Sequence, residues 1–113
     1  MDAIGTAVSG LSAAEKRLQT SAQNVANQLS EGYKAKKIEQ EALEAGGVKV
    51  DVVKKNPATI TVANPEGGTQ ELPNVNEAEE VAQQVIASYT YKANLKTIQV
   101  QQDLQEALLN ITA

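Results

Sequence analysis

From Glu77 to Ala113 no glycine or proline interrupts the chain, and apolar residues recur at helical spacing almost to the end. At 1.5 Å per residue such a helix is about 55 Å long. A compact domain of 113 residues has a radius of gyration near 14 Å and a diameter of roughly 35 Å. The helix is therefore longer than the globule it would belong to. Its start is well marked. Asn76 is a good N-cap, Glu79 stands in the capping-box position, and Glu77, Glu79 and Glu80 put negative charge where the helix dipole favours it. One stripe runs through Ala82, Ile86, Tyr89, Ala93, Val100, Leu104, Ala107 and Ile111. Another runs through Val81, Val85, Ser88, Leu95 and Ile98, and Leu108 belongs to the leucine-rich last turns.

The first segment, Asp2 to about Leu29, is also helical in pattern. Ile4, Val8, Leu11, Leu18, Ala22, Val25 and Leu29 follow a heptad seam, interrupted at Glu15. Beside it lies a stripe of small residues, Ala3, Ala7, Gly10 and Ala14, which lets a second helix backbone come close. The same stretch contains GTAVSGLS, Gly5 to Ser12, which departs from the phosphate-loop pattern G-x-x-x-x-G-K-[ST] by carrying Leu11 in place of lysine. A phosphate loop needs a buried strand before it and a lysine for the phosphates. Neither is present, so Gly5 and Gly10 are read as small residues on a helix face. Asn27 can end this helix, with Gly32 left-handed at its close near Tyr33.

Between the helical ends the period changes. Lys34 to Ala45 is rich in helix formers but short, and reads as helix or extended linker. Val48, Val50 and Val52 then alternate with Lys49 and Asp51, and Ile60 and Val62 with Thr59 and Thr61. The intervening Lys-Lys-Asn-Pro is a turn signal, which predicts one β-hairpin. Asn64 to Pro73 reads as loop. The fold expected is mainly α: long terminal helices in an antiparallel coiled coil, with a small hairpin in the middle. The segments are 1–33, 34–73 and 74–113.

Composition narrows the chemistry. Without Cys, His, Trp or Phe the chain has no thiol or imidazole chemistry and no Cys/His zinc site. Glu77, Glu79 and Glu80 are better explained as helix-capping charge than as acid–base catalysts. No nucleophile–base pair stands out, so no enzyme, cofactor or small-molecule substrate is expected. A net charge of −4 argues against nucleic acid, and Lys34, Lys36 and Lys37 read as a solvated turn. No apolar run is long enough to span a membrane, and the opening Met1-Asp2-Ala3-Ile4 is not a cleaved-signal pattern. Tyr33, Tyr89 and Tyr91 read as packing residues with hydroxyls at the surface. Asn24 and Asn27 suit either a bond to a neighbouring subunit or the local helix end. Gln99, Gln101, Gln102 and Gln105 form a solvated face or a hydrogen-bonding strip. The apolar stripes exceed what one copy can cover, so the partner expected is another copy of the chain.

Two stretches carry a family resemblance. SGLSAAEKRLQTSAQNVANQLSEGYK, Ser9 to Lys34, resembles the N-terminal signature of bacterial flagellar rod and hook axial proteins, with Asn24, Asn27, Gly32 and Tyr33 on motif positions. LPNVNEAEEVAQQVIASYTYKANLKTIQVQQDLQEALLNI resembles the family's C-terminal segment, with Pro73, Asn74, Asn76 and Asn94 on motif positions. The Pro-Asn-Val-Asn entry and short middle resemble the proximal-rod branch, although Ser30 and Glu31 depart from the usual residues. The resemblance implies a structural subunit whose terminal helices line a torque-transmitting tube around an export channel. It implies other rod and basal-body proteins as partners, export by the flagellar type III apparatus, and a location in the periplasm-spanning rod. The competing expectation is a small cytoplasmic adaptor or chaperone-like helical hairpin that binds a partner helix.

Overall fold

The computed structural model describes residues 2–112. Met1 and Ala113, the outer bounds of the expected terminal segments, lie outside the described residues. The elements are α1 (Ala3–Ala26), β1 (Lys36–Ala42), β2 (Val48–Lys54), β3 (Thr59–Ala63), β4 (Thr69–Pro73) and α2 (Glu77–Thr112).

The two helices run antiparallel. Ser21 meets the Glu80 carbonyl, Arg17 meets Gln83, and Gly10 lies against Asn94. Asp2 caps α1, its carboxylate accepting from Gly5 N–H at 2.6 Å. Asn76 caps α2, its side chain accepting from Glu79 N–H at 3.2 Å. The seam between the helices is built from small residues: Ala7, Gly10, Ala13 and Ala14 of α1 are buried, as is Ala87 of α2. A Cβ added to Gly10 would stand 2.5 Å from the Asn94 amide, so glycine sets how closely the helices approach.

The middle is not one hairpin. β1 pairs with β2 and β3 with β4, each pair a separate two-stranded antiparallel sheet. Helix takes up 54% and strand 22% of the structure. This corrects the expectation of a mainly α coiled coil with one small hairpin. Val48–Lys54 and Thr59–Ala63 are strands as their alternation implied, but they do not pair with each other. Lys34 to Ala45, read as helix or linker, supplies β1; Asn64 to Pro73, read as loop, supplies β4.

The reason lies in two matching turns. Leu43–Gly47 and Asn64–Gly68 are five-residue loops ending in Gly-Gly, and all four of these glycines have positive φ. In each, the first residue's N–H donates to the last residue's carbonyl, at 3.0 Å in both, and its own carbonyl accepts from the first glycine. Each loop therefore closes a hairpin between the two strands that flank it. The Lys-Lys-Asn-Pro stretch instead becomes the joint between hairpins. There Ala35, fully buried, donates to the Ala58 carbonyl at 3.1 Å and accepts from Lys55 N–H at 2.8 Å.

Hairpin β1–β2 lies lengthways along α1, with Lys36 beside Asn24, Gln40 beside Arg17 and Val48 beside Ser9. Ile38, Val48 and Val50 are half-buried, while Lys37, Glu39, Lys49 and Asp51 face outward. The exposed pairs Lys37–Glu39 and Lys49–Asp51 add little stability. Hairpin β3–β4 lays no face along either helix. The molecule measures 77 × 24 × 15 Å, with a radius of gyration of 19.7 Å.

Candidate assembly surface

Two regions collect the residues singled out in the sequence: a polar joint where the hairpins meet the helices, and an open apolar surface along the helix pair.

Asn24, 1% exposed, is the centre of the joint. Its side chain accepts from Lys36 N–H at 3.0 Å and donates to the Lys36 carbonyl at 2.7 Å, pairing with β1 as a neighbouring strand would. It also donates to Glu80 Oε1 at 3.1 Å. Asn24 is thus bonded within its own chain, and Asn27 serves the local helix end by donating to the Gln23 carbonyl. Glu80, read from sequence only as first-turn charge, is 3% exposed. Lys55 approaches it at 3.8 Å and Glu79 at 3.9 Å, and donates to the Asn74 carbonyl at 3.0 Å. The Asn74 amide in turn donates to the Pro57 carbonyl at 2.9 Å. Arg17 spans the joint's mouth, bonded to Gln83 on α2 and Gln40 on β1.

The joint draws together Asn24, Asn74 and the buried Pro73. Sequence reading missed Lys55, Glu80 and Ser21, because burial of a charge has no local signature. Gly32 does have a left-handed φ of +80°, but α1 ends at Ala26, with Asn27 as its cap. The Gly32 N–H instead donates to the Glu71 carbonyl, tying the segment to β4. Tyr33 is half-buried with its hydroxyl unpartnered, and the Lys36 ammonium lies 6.0 Å from its ring centre. The joint encloses a polar cavity of about 180 Å³. Its side chains are engaged with one another, and its chemistry is that of a fastener.

The apolar surface is the converse. Of the residues expected to pack subunits, Ala7, Gly10 and Ala14 are buried between the helices, and Ile4, Leu11, Val25 and Ile98 are half-covered. Val8, Leu18 and Ala22 of α1 are exposed. So are Val81, Val85, Ile86 and Tyr89 of α2, and then Leu95, Val100, Leu104, Leu108 and Ile111. Tyr89 is 74% and Ile111 79% exposed. Geometry explains the division: helices held together by alanines leave their larger side chains on the flanks. Ala3 shares a shallow groove with Val100 and Leu104, so α2 beyond Leu104 has no helix opposite it. No helix among the described residues is long and apolar enough to cross a membrane.

Residues 66–111 match the model of the family described as flagellar basal body rod FlgEFG protein, C-terminal. The match supports a flagellar rod or hook family. It runs from the β3–β4 loop through β4 and the Asn76 cap to almost the end of α2. It therefore covers Pro73, Asn74 and Asn94 and the apolar stripes of the second helix. The match, over less than half of the chain, suggests a structural role in the flagellar basal body and assembly with other rod and basal-body proteins. None of the curated proteins matches the chain.

Proposed function

We propose that the chain is a structural subunit of the proximal rod, without catalytic activity, polymerising through its two helices into a torque-transmitting tube around the export channel. Export through the flagellar type III apparatus goes with this reading, which rests on the family resemblance.

The observation that carries self-assembly is excess surface. The chain exposes 7594 Å². A compact protein of 12.0 kDa exposes about 6,000 Å². The surplus, about 1,600 Å², is about twice the roughly 800 Å² that one partner gives to a standard protein–protein interface. Leaving the exposed Val, Ile and Leu side chains of the two helices in water costs several kcal/mol at about 25 cal/mol per Å² of apolar surface, which neighbouring copies would recover.

Circular dichroism and sedimentation over a range of concentrations test the proposal, with and without preformed rod as nucleus. Helix content should rise on incorporation and fall in the free chain, because weakly packed helices fray. A free chain that is fully helical, rigid and monomeric, and that never enters rods, would instead be an adaptor for a foreign helix.

A further inference from the structure

Beyond its first turn, α2 carries charge on one flank alone. From Val81 to Thr112 its only charged residues are Lys92, Lys96, Asp103 and Glu106. None of them forms an ion pair among the described residues. Each stands one position before an exposed residue of the stripe: Ala93, Thr97 (which fills the gap before Val100), Leu104 and Ala107. At 3.6 residues per turn, all four charges therefore line the same side of that stripe. The other side carries Ala87 and Asn94, which face α1.

The order of the signs matters too: two lysines, then two acids. Reflection about the bond between Ile98 and Gln99 brings Ile86 opposite Ile111, Tyr89 opposite Leu108, Ala93 opposite Leu104 and Thr97 opposite Val100. The same reflection brings Lys92 to within one residue of Glu106, and Lys96 to within two of Asp103. A single register thus matches the stripe to itself and basic to acidic. The stripe is open to receive a partner: Ile86 is 47% and Leu104 55% exposed.

We propose that α2 pairs antiparallel with α2 of a second copy, stripe to stripe, about a two-fold axis between Ile98 and Gln99. Helices meeting in this way bring unlike flanks together when parallel and like flanks together when antiparallel. Only the antiparallel pair puts Lys92 and Lys96 beside Glu106 and Asp103 of the second copy, and charges that flank a helical seam set the partner's orientation. The overhang beyond Leu104, which no helix of its own chain faces, then lies on Ile86 and Tyr89 of the second copy. The apolar α1/α2 groove, lined by Ala14, Leu18, Ser88 and Tyr91, opens on the opposite side of α2 and takes no part. A contact that uses one patch twice closes as a pair and does not propagate. The inference therefore goes beyond the rod reading. The pair is a state of the free chain that hides the end of α2, and it must open before a head-to-tail tube can use that end. At dilution the single copy, with its bare α2 end, prevails.

The chain has no cysteine, so disulfide trapping reads the register directly. Full-length Ala93→Cys and Leu104→Cys chains, mixed in equal amounts, should cross-link to each other at least about tenfold faster than either does to itself, since like positions stand about 16 Å apart along the antiparallel pair. In sedimentation at low salt, Lys96→Glu should weaken pairing about fivefold, and Lys96→Glu with Asp103→Lys in one chain should restore it. Oxidised pairs should stay out of rods grown on preformed nuclei and enter after reduction. Like-with-like trapping as fast as the mixed pair, or no rescue by the double swap, overturns the antiparallel register. Chains that stay monomeric at all concentrations overturn the pairing, whereas the rod reading falls only if the reduced chains never enter rods. Oxidised pairs that enter as readily as reduced chains overturn the closed state.

Discussion

Asn24 does with one side chain what a strand does with its backbone. It satisfies both polar groups of Lys36 and still holds Glu80, all nearly out of contact with water. Truncation leaves buried donors and acceptors unpaired, at about 1–3 kcal/mol each. Asn24→Ala should therefore lower unfolding free energy by about 3 kcal/mol in urea titrations, whereas Asn27→Ala at the exposed helix end should cost less than about 1 kcal/mol. Equal losses at the two sites would show that the joint is not what holds the hairpins to the helices. Gly10 and Asn94 give a second test at this scale. Alanine at position 10 favours the helix by about 1 kcal/mol, yet its Cβ meets the Asn94 amide, which is held by a 2.8 Å bond to the Thr90 carbonyl. A double-mutant cycle with Gly10→Ala and Asn94→Ala should give a coupling of at least about 1 kcal/mol, with Gly10→Ala better tolerated once Asn94 is shortened. Additive effects would mean that the helices are not in contact there.

At the scale of elements, what the sequence made legible depended on how local each determinant is. Both helices were readable because their caps and periodicity lie within the segments themselves: Asn76 with Glu79, and the small-residue stripe through Ala7, Gly10 and Ala14. β2 and β3 were readable from alternation. Their partners were not, since pairing is a non-local choice. β1 is composed of Lys, Glu, Gln and Ala around a single Ile38, residues with little preference for strands; it is extended because β2 and the side of α1 accept it. The overlooked signal was the Gly-Gly ending shared by Leu43–Gly47 and Asn64–Gly68. The exposed flanks of α2 were expected, but the burial of Glu80 and Lys55 was not, because only the tertiary arrangement puts them together. These differences predict a gradient of amide exchange in the free chain. Protection should be strongest around Asn24, β1 and the first turns of α2, weaker in β3–β4, and nearly absent from Gln105 to Thr112, where no element lies opposite. Uniform protection along α2 would contradict an overhang that waits for a neighbour.

For the whole molecule the decisive contrast is between apolar residues a single copy covers and those it does not. Ala7 and Ala14 are 2% and 3% exposed, Leu108 and Ile111 62% and 79%. A carboxylate at either alanine must be desolvated within the monomer, so Ala7→Glu or Ala14→Glu should destabilise the chain itself, by several kcal/mol. A carboxylate at Leu108 or Ile111 stays in water while the chain is alone, and exposed substitutions of this kind usually change stability by less than about 0.5 kcal/mol. In a packed tube the same carboxylate would be buried against a neighbour. Leu108→Glu and Ile111→Glu should thus leave the urea midpoint of the free chain in place while blocking incorporation into rods and the associated gain of helix. The two measurements separate folding from assembly in one pair of variants. Should the doubly substituted chain still enter rods as readily as the parent, the end of α2 is not shared between copies, and the surplus surface must be covered through the α1 flank and the α1/α2 groove instead.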